Sequence, residues 1–174
     1  INSLPNTSIG FTTAQKFKIG ETSNLGFLFS LHQGNHYEYK DGVKNQFRLN
    51  GNSIDYNNNL NRKEYTYETE SSVLLGLGFK NKGTGINLNG FFLQNSENLI
   101  QDYVGFRNGE TNNQQFIRVN QQGISRVTDL QLTASQKINE RHCIKAGESW
   151  VNNFYQQPDR KIMYGQPGEG NNIN

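Results

Sequence analysis

The 174-residue chain has one cysteine, three prolines, one methionine and one tryptophan. A single Cys143 excludes an intrachain disulfide and any thiolate metal cluster. No stretch approaches the roughly 18–20 consecutive apolar residues of a transmembrane helix. Seventeen basic against fifteen acidic residues leave a net charge of +2, so the electrostatic footprint of a nucleic-acid binder is missing. Apolar residues are also scarce, at 33%, and mean hydropathy is −0.80. That is too polar for an ordinary soluble core. No secretory leader is visible, and the chain begins at Ile1 rather than Met, so its true start is expected upstream.

Such polarity fits either disorder or a sheet that wets most of its surface. Aromatics at 11% and repeated period-two runs oppose disorder. The clearest run is 65–79. There Tyr65, Tyr67, Thr69, Ser71, Val73, Leu75, Leu77 and Phe79 fall on one face of a strand, while Thr66, Glu68, Glu70, Ser72, Leu74, Gly76 and Gly78 fall on the other. One face is aliphatic with aromatic ends; the other is polar or tiny. A strand between hydrocarbon and a wet lumen has this pattern.

The same alternation recurs in pairs joined by short turns. Residues 8–19 carry Ile9, Phe11, Phe17 and Ile19 on one face, and Gly20–Asn24 turns the chain. The return strand carries Leu25, Phe27, Phe29 and Leu31. After the turn at Asn81–Gly85, Ile86, Leu88 and Phe92 share a face; Leu130 and Leu132 do so before the turn at Ile138–Arg141. The last strand begins near Cys143 with Ile144, Ala146, Glu148 and Trp150 and is expected to stay extended toward Tyr164, with a loose polar tail over 165–174. Asp41 to about Arg62, rich in Asn, reads as a long hydrophilic connection, and Arg107–Asn113 as a second, with Asn108-Gly109 as its turn.

The expected fold is therefore all-β: six long antiparallel strands in three hairpins, with short turns beside the apolar stretches and long loops at the far ends. This is the arrangement of an outer-membrane barrel. Single-chain bacterial barrels start at eight strands, and open sheet edges in lipid leave backbone groups unpaired. Residues 1–164 are thus expected to be part of a larger barrel. Phe27, Phe29, Leu31, Val73, Leu75, Leu77, Phe79, Ile86, Leu88, Leu130 and Leu132 form the expected lipid-facing set; Glu68, Glu70, Gly76 and Gly78 are expected to face the lumen. Tyr65, Tyr67 and Trp150 suggest one aromatic girdle, and Phe17 and Phe79 the opposite one. Glu148 breaks the pattern, and a β-bulge would reset its register.

The order of segments resembles the barrel of TonB-dependent outer-membrane receptors of the Bacteroidetes type. The matching stretches are Lys16-Phe17-Lys18-Ile19-Gly20-Glu21, Leu25-Gly26-Phe27-Leu28-Phe29-Ser30-Leu31 and Gln94-Asn95-Ser96-Glu97-Asn98. They continue with Phe116-Ile117-Arg118, Leu130-Gln131-Leu132 and Gln157-Pro158-Asp159-Arg160-Lys161. In that family the last stretch usually reads Glu-Pro-Asp-Arg, so Gln157 departs by losing a charge. The resemblance implies a complete barrel of about 22 strands, a plug and a TonB box outside these residues, and location in the outer membrane of a Gram-negative bacterium. The implied partners are outer-membrane lipid, TonB with its inner-membrane complex, and a surface lipoprotein. The two polar connections would face ligand.

No enzyme site can be assembled. His32 and His36 share a strand face but lack the third and fourth ligands zinc needs, so no metal or cofactor is expected. His142-Cys143 lacks an orienting third group. For Pro158, Asp159 and Arg160 a structural role is expected: Pro158 ends strand pairing, and Asp159 pairs with Arg160 or a neighbouring strand. A porin, a barrel subunit of a secretion or surface complex, and a soluble β-sandwich that binds glycans remain the alternative readings.

Overall fold

The computed structural model describes residues 5–109 and 114–164. They form one antiparallel sheet in a simple meander, with no helix among the described residues. The strands are β1 (Thr7–Ile19), β2 (Ser23–Asn50), β3 (Ser53–Lys80), β4 (Thr84–Phe106), β5 (Gln115–Lys137), β6 (Cys143–Gln156) and β7 (Asp159–Tyr164). Each of β1 to β6 pairs with its sequence neighbours, and β7 pairs with β5. The expected all-β architecture of long antiparallel strands is what the chain adopts.

β6 and β7 are one geometric strand. Gln156 stands opposite Ile124 and Asp159 opposite Gln121, so the register is unchanged across the gap. Pro158 lies between them: its carbonyl accepts from the Gln122 N–H at 3.2 Å, but proline has no N–H to return. It therefore interrupts the pairing; it does not end it as expected. Asp159 accepts from Gln121 Nε2 of the neighbouring strand at 3.3 Å, and Arg160 stands opposite Asn120. Adjacent strand residues point to opposite faces, which keeps Asp159 from pairing with Arg160.

The expected loop over Asp41–Arg62 is also overturned. β2 and β3 continue in register and meet at a two-residue turn, Gly51-Asn52, with Gly51 at φ 61° as a type II′ turn requires. A bulge at Asn57 interrupts the ladder once, between the pairs Gln46–Asn58 and Phe47–Tyr56. The other far-end connection docks on that bulge. Asn108 (φ 58°) and Gly109 (φ 73°) form its turn, and the Gly109 N–H donates to the Asn57 carbonyl at 2.9 Å. The rest of that expected loop, 110–113, and the tail 165–174 lie outside the described residues.

The register assembles the apolar positions of separate strands into rows. Phe17, Leu25, Phe79, Ile86 and Ala134 make one; Phe27, Leu77, Leu88 and Leu132 the next; Phe29, Leu75, Gly90 and Leu130 the third; Phe11, Leu31, Val73 and Phe92 the fourth. All eleven expected lipid-facing residues share this face. Many are solvent-exposed, Leu75 at 51% and Leu77 at 52%. The β5–β6 ladder carries no bulge, which removes the expected reset: Glu148 stands opposite Leu132 on the apolar face.

Tyr67 stacks on Tyr37 with ring centroids 4.4 Å apart, and Tyr65 meets Tyr39 at a tilt of 39° and 5.1 Å. Trp150 is not level with them. It pairs with Leu130 in the third apolar row, eight residues of strand away, about 27 Å. The expected single girdle of Trp150 with the two tyrosines is not formed. Phe17 and Phe79 do share a row.

Candidate functional site: the polar face of the sheet

The opposite face carries most of the small and polar residues, with Leu28, Leu74, Phe91 and Leu93 interspersed among them. Glu68, Glu70, Gly76 and Gly78 all lie on it, as expected, together with the residues paired to them: His36 and Glu97 flank Glu68, and Gly34 and Asn95 flank Glu70. Glycines at 34 and 123 leave the wall thin here, and the face bounds a cavity of about 430 Å³ lined by His32, His36, Glu68, Glu70, Glu97 and Tyr155. Glu68 and Glu97 stand directly opposite one another, a like-charged cross-strand pair of the kind that destabilises a ladder. Neither has an ion-pair partner among the described residues. The His36 ring meets Asn6 Nδ2 at 2.9 Å, and no metal-binding cluster occurs among the described residues. Cys143 is exposed at the start of β6, and His142 is tied to Asn139, so the two make no catalytic pair.

Farther from the apolar rows the same face buries the only core among the described residues. Leu60, Tyr103 and Ile117 are 5%, 8% and 5% exposed, with Val119 packed on them. One glycine makes this packing close. Gly105 (φ 155°) is paired with Leu60, and a Cβ there would overlap the Asn59 carbonyl oxygen and lie 3.0 Å from the Leu60 Cα. The core is edged by charge. Buried Glu64 is held by Arg62 Nη2 at 3.2 Å, Lys40 Nζ at 3.7 Å and Gln101 Nε2 at 2.7 Å. Lys40 also meets Glu38 at 2.8 Å, and that hydrogen bond holds its ammonium above the ordinary lysine value. On the other face, Arg118 forks onto Asp102 with two 2.7 Å contacts.

Above this core lies a second cavity of about 270 Å³. Leu60, Tyr103, Ile117 and Val119 floor it; Lys44, Arg107 and Lys161 edge it. Lys44 Nζ sits 5.2 Å from the centroid of the Tyr103 ring. None of these three cations has an acidic partner among the described residues. Sequence reading missed Glu97 and this whole upper cluster. The signal was present in the alternation Val43, Asn45, Phe47, Leu49 and in Ile54, Tyr56, which marks Asp41–Arg62 as strand.

No family model matches the sequence, and no curated protein matches it.

Proposed function

We propose that this chain forms wall of a transmembrane β-barrel in the outer membrane of a Gram-negative bacterium, and that the barrel is a TonB-dependent uptake receptor. One observation carries the first part: four consecutive rows dominated by large aliphatic and aromatic side chains, many of them exposed, lie on one face, while the other face mixes carboxylates, histidines, amides and glycines with a minority of apolar residues such as Leu74 and Phe91. On β1, Ile9 and Ile19 stand ten residue steps apart. That is about 33 Å of strand, which at a tilt near 40° climbs about 25 Å, the height of the apolar band of such barrels. Strands of 28 residues outrun that need and project beyond it. A sandwich of two sheets has no use for that length.

Among the described residues β1 and the β6–β7 edge each pair on one side only. In lipid such edges need further strands, which supports the larger barrel. The receptor assignment rests on the segment resemblance, with the transport mechanism, TonB coupling and a lipoprotein partner following from it. In this reading the polar face lines the lumen, and Glu68, Glu70 and Glu97 present carboxylates to cationic groups of a plug or cargo.

The test is extraction of the native protein from cell envelopes. Outer-membrane fractionation with release by detergent alone supports the barrel; release by alkaline buffer overturns it. Conductance in planar bilayers then separates the rivals, because a plugged receptor stays closed where a porin conducts steadily.

A further inference from the structure

We infer that the upper cavity is a binding site for a small organic anion with a flat apolar body. This deepens the transport reading and rests on it only for the route by which the ligand arrives. Three features converge. The floor is apolar: Leu60, Tyr103 and Ile117 are buried and line it. The rim is cationic: Lys44, Arg107 and Lys161 come from β2, from the residue after β4, and from β7, three separate points of the sheet that line one cavity. Among the described residues the nearby acids are engaged: Glu64 is paired with Arg62 and Lys40, and Asp159 accepts from Gln121.

An apolar pocket with a few convergent polar groups is the usual form of a small-molecule site. Here the charged groups of the lining are all cationic, and its other polar side chains, Asn58 and Gln101, are neutral amides. A cationic ligand would meet repulsion, and a neutral apolar one would leave the three charges unused. A carboxylate or phosphate on an aromatic body satisfies both parts: the ring lies on Leu60, Tyr103 and Ile117, and the oxygens accept from Lys44, Arg107 and Lys161.

The experiment is calorimetric titration of the native full-length protein with three probes of graded chemistry: phenyl phosphate, inorganic phosphate and benzamidine. Phenyl phosphate is expected to bind, with phosphate weaker by about ten-fold for loss of the ring and benzamidine silent. K44Q and K161Q are each expected to weaken phenyl phosphate by about five-fold, and the double variant by more. Both residues lie at the cavity rim, and a melting curve unchanged from the native protein shows that the fold is kept. Equal heats from phenyl phosphate and benzamidine, no heat from phenyl phosphate, or affinity untouched in the double variant would each overturn the site. The two readings fail separately. A buffer-released protein that binds phenyl phosphate through Lys44 and Lys161 defeats transport and leaves the site. A detergent-requiring protein that ignores it does the reverse.

Discussion

Replacing Leu75 by arginine puts the orientation of the sheet to a quantitative test. Leu75 lies in the third apolar row between Phe29 and Gly90, with Val73 and Leu77 along its own strand. Gly90 gives the guanidinium room but no hydrogen-bond partner. The nearest polar side chains on this face are Thr13, two strands and about 10 Å away across Phe29, and Ser71, four residues and about 13 Å along β3, and neither can neutralise a guanidinium. The charge therefore stays in the apolar band, where an arginine on the lipid face costs about 2–4 kcal/mol. That is a loss of about 30-fold to about 900-fold in the folding equilibrium. Asn89 is the matched control: it stands opposite Gly76, one residue from Leu75, and is exposed on the other face. Asn89→Arg should stay within about 0.5 kcal/mol, as exposed surface changes do. The assay is equilibrium unfolding of the native protein in lipid vesicles, read by the gel shift between folded and unfolded forms. Indistinguishable losses from the two variants, or an unaffected Leu75→Arg, would refute the facing assignment.

Two further outcomes follow from the same geometry. Gly105→Ala should loosen the far end by about 1–3 kcal/mol, because the new methyl overlaps the Asn59 carbonyl; hydrogen exchange should accelerate at Leu60 and Tyr103 but not at Leu77, and equal acceleration at all three would count against it. Glu148→Leu should stabilise the protein in vesicles by about 1 kcal/mol, since Glu148 faces outward beside Leu132. The absence of any gain would mean that this stretch of β6 meets water.

The apolar half of each strand was legible from sequence because alternation is the direct signature of a pleated surface with two different neighbours. Residues such as Val73, Leu75 and Leu77 declare their face without knowledge of their partners. The far halves were harder. In 41–62, asparagines and charges lower the local strand preference, and only Val43, Phe47, Leu49, Ile54 and Tyr56 keep the period. What holds those residues as strand is continuity of the β2–β3 ladder, a tertiary effect. Glu97 and the cation cluster were invisible for a related reason: their meaning lies in register. Glu97 matters because it lands opposite Glu68, and Lys161 because it lands beside Val119. Proline at 158 was read as a terminator because its chemistry is local, whereas the sheet absorbs one missing donor and resumes pairing.

The distribution of burial also argues for what covers the apolar face. A soluble domain hides its leucines and leaves its carboxylates wet. Here Leu77, Leu88, Leu130 and Leu132 stand about half exposed, while the buried core is a small cluster far from them on the polar face. A contiguous exposed patch of this kind marks a protein or membrane contact. Protein interfaces carry a centre of Trp, Tyr and Arg anchors inside a polar rim. These rows are instead mostly Leu, Ile, Val and Phe, broken by Gly90 and Ala134 and edged by Thr13, Gln15 and Glu148, and the tyrosines lie apart, ring against ring beyond the band. Such a surface offers breadth without shape. Lipid chains need no shape complementarity and can wet rows of this breadth, which is why hydrocarbon is the cover we propose.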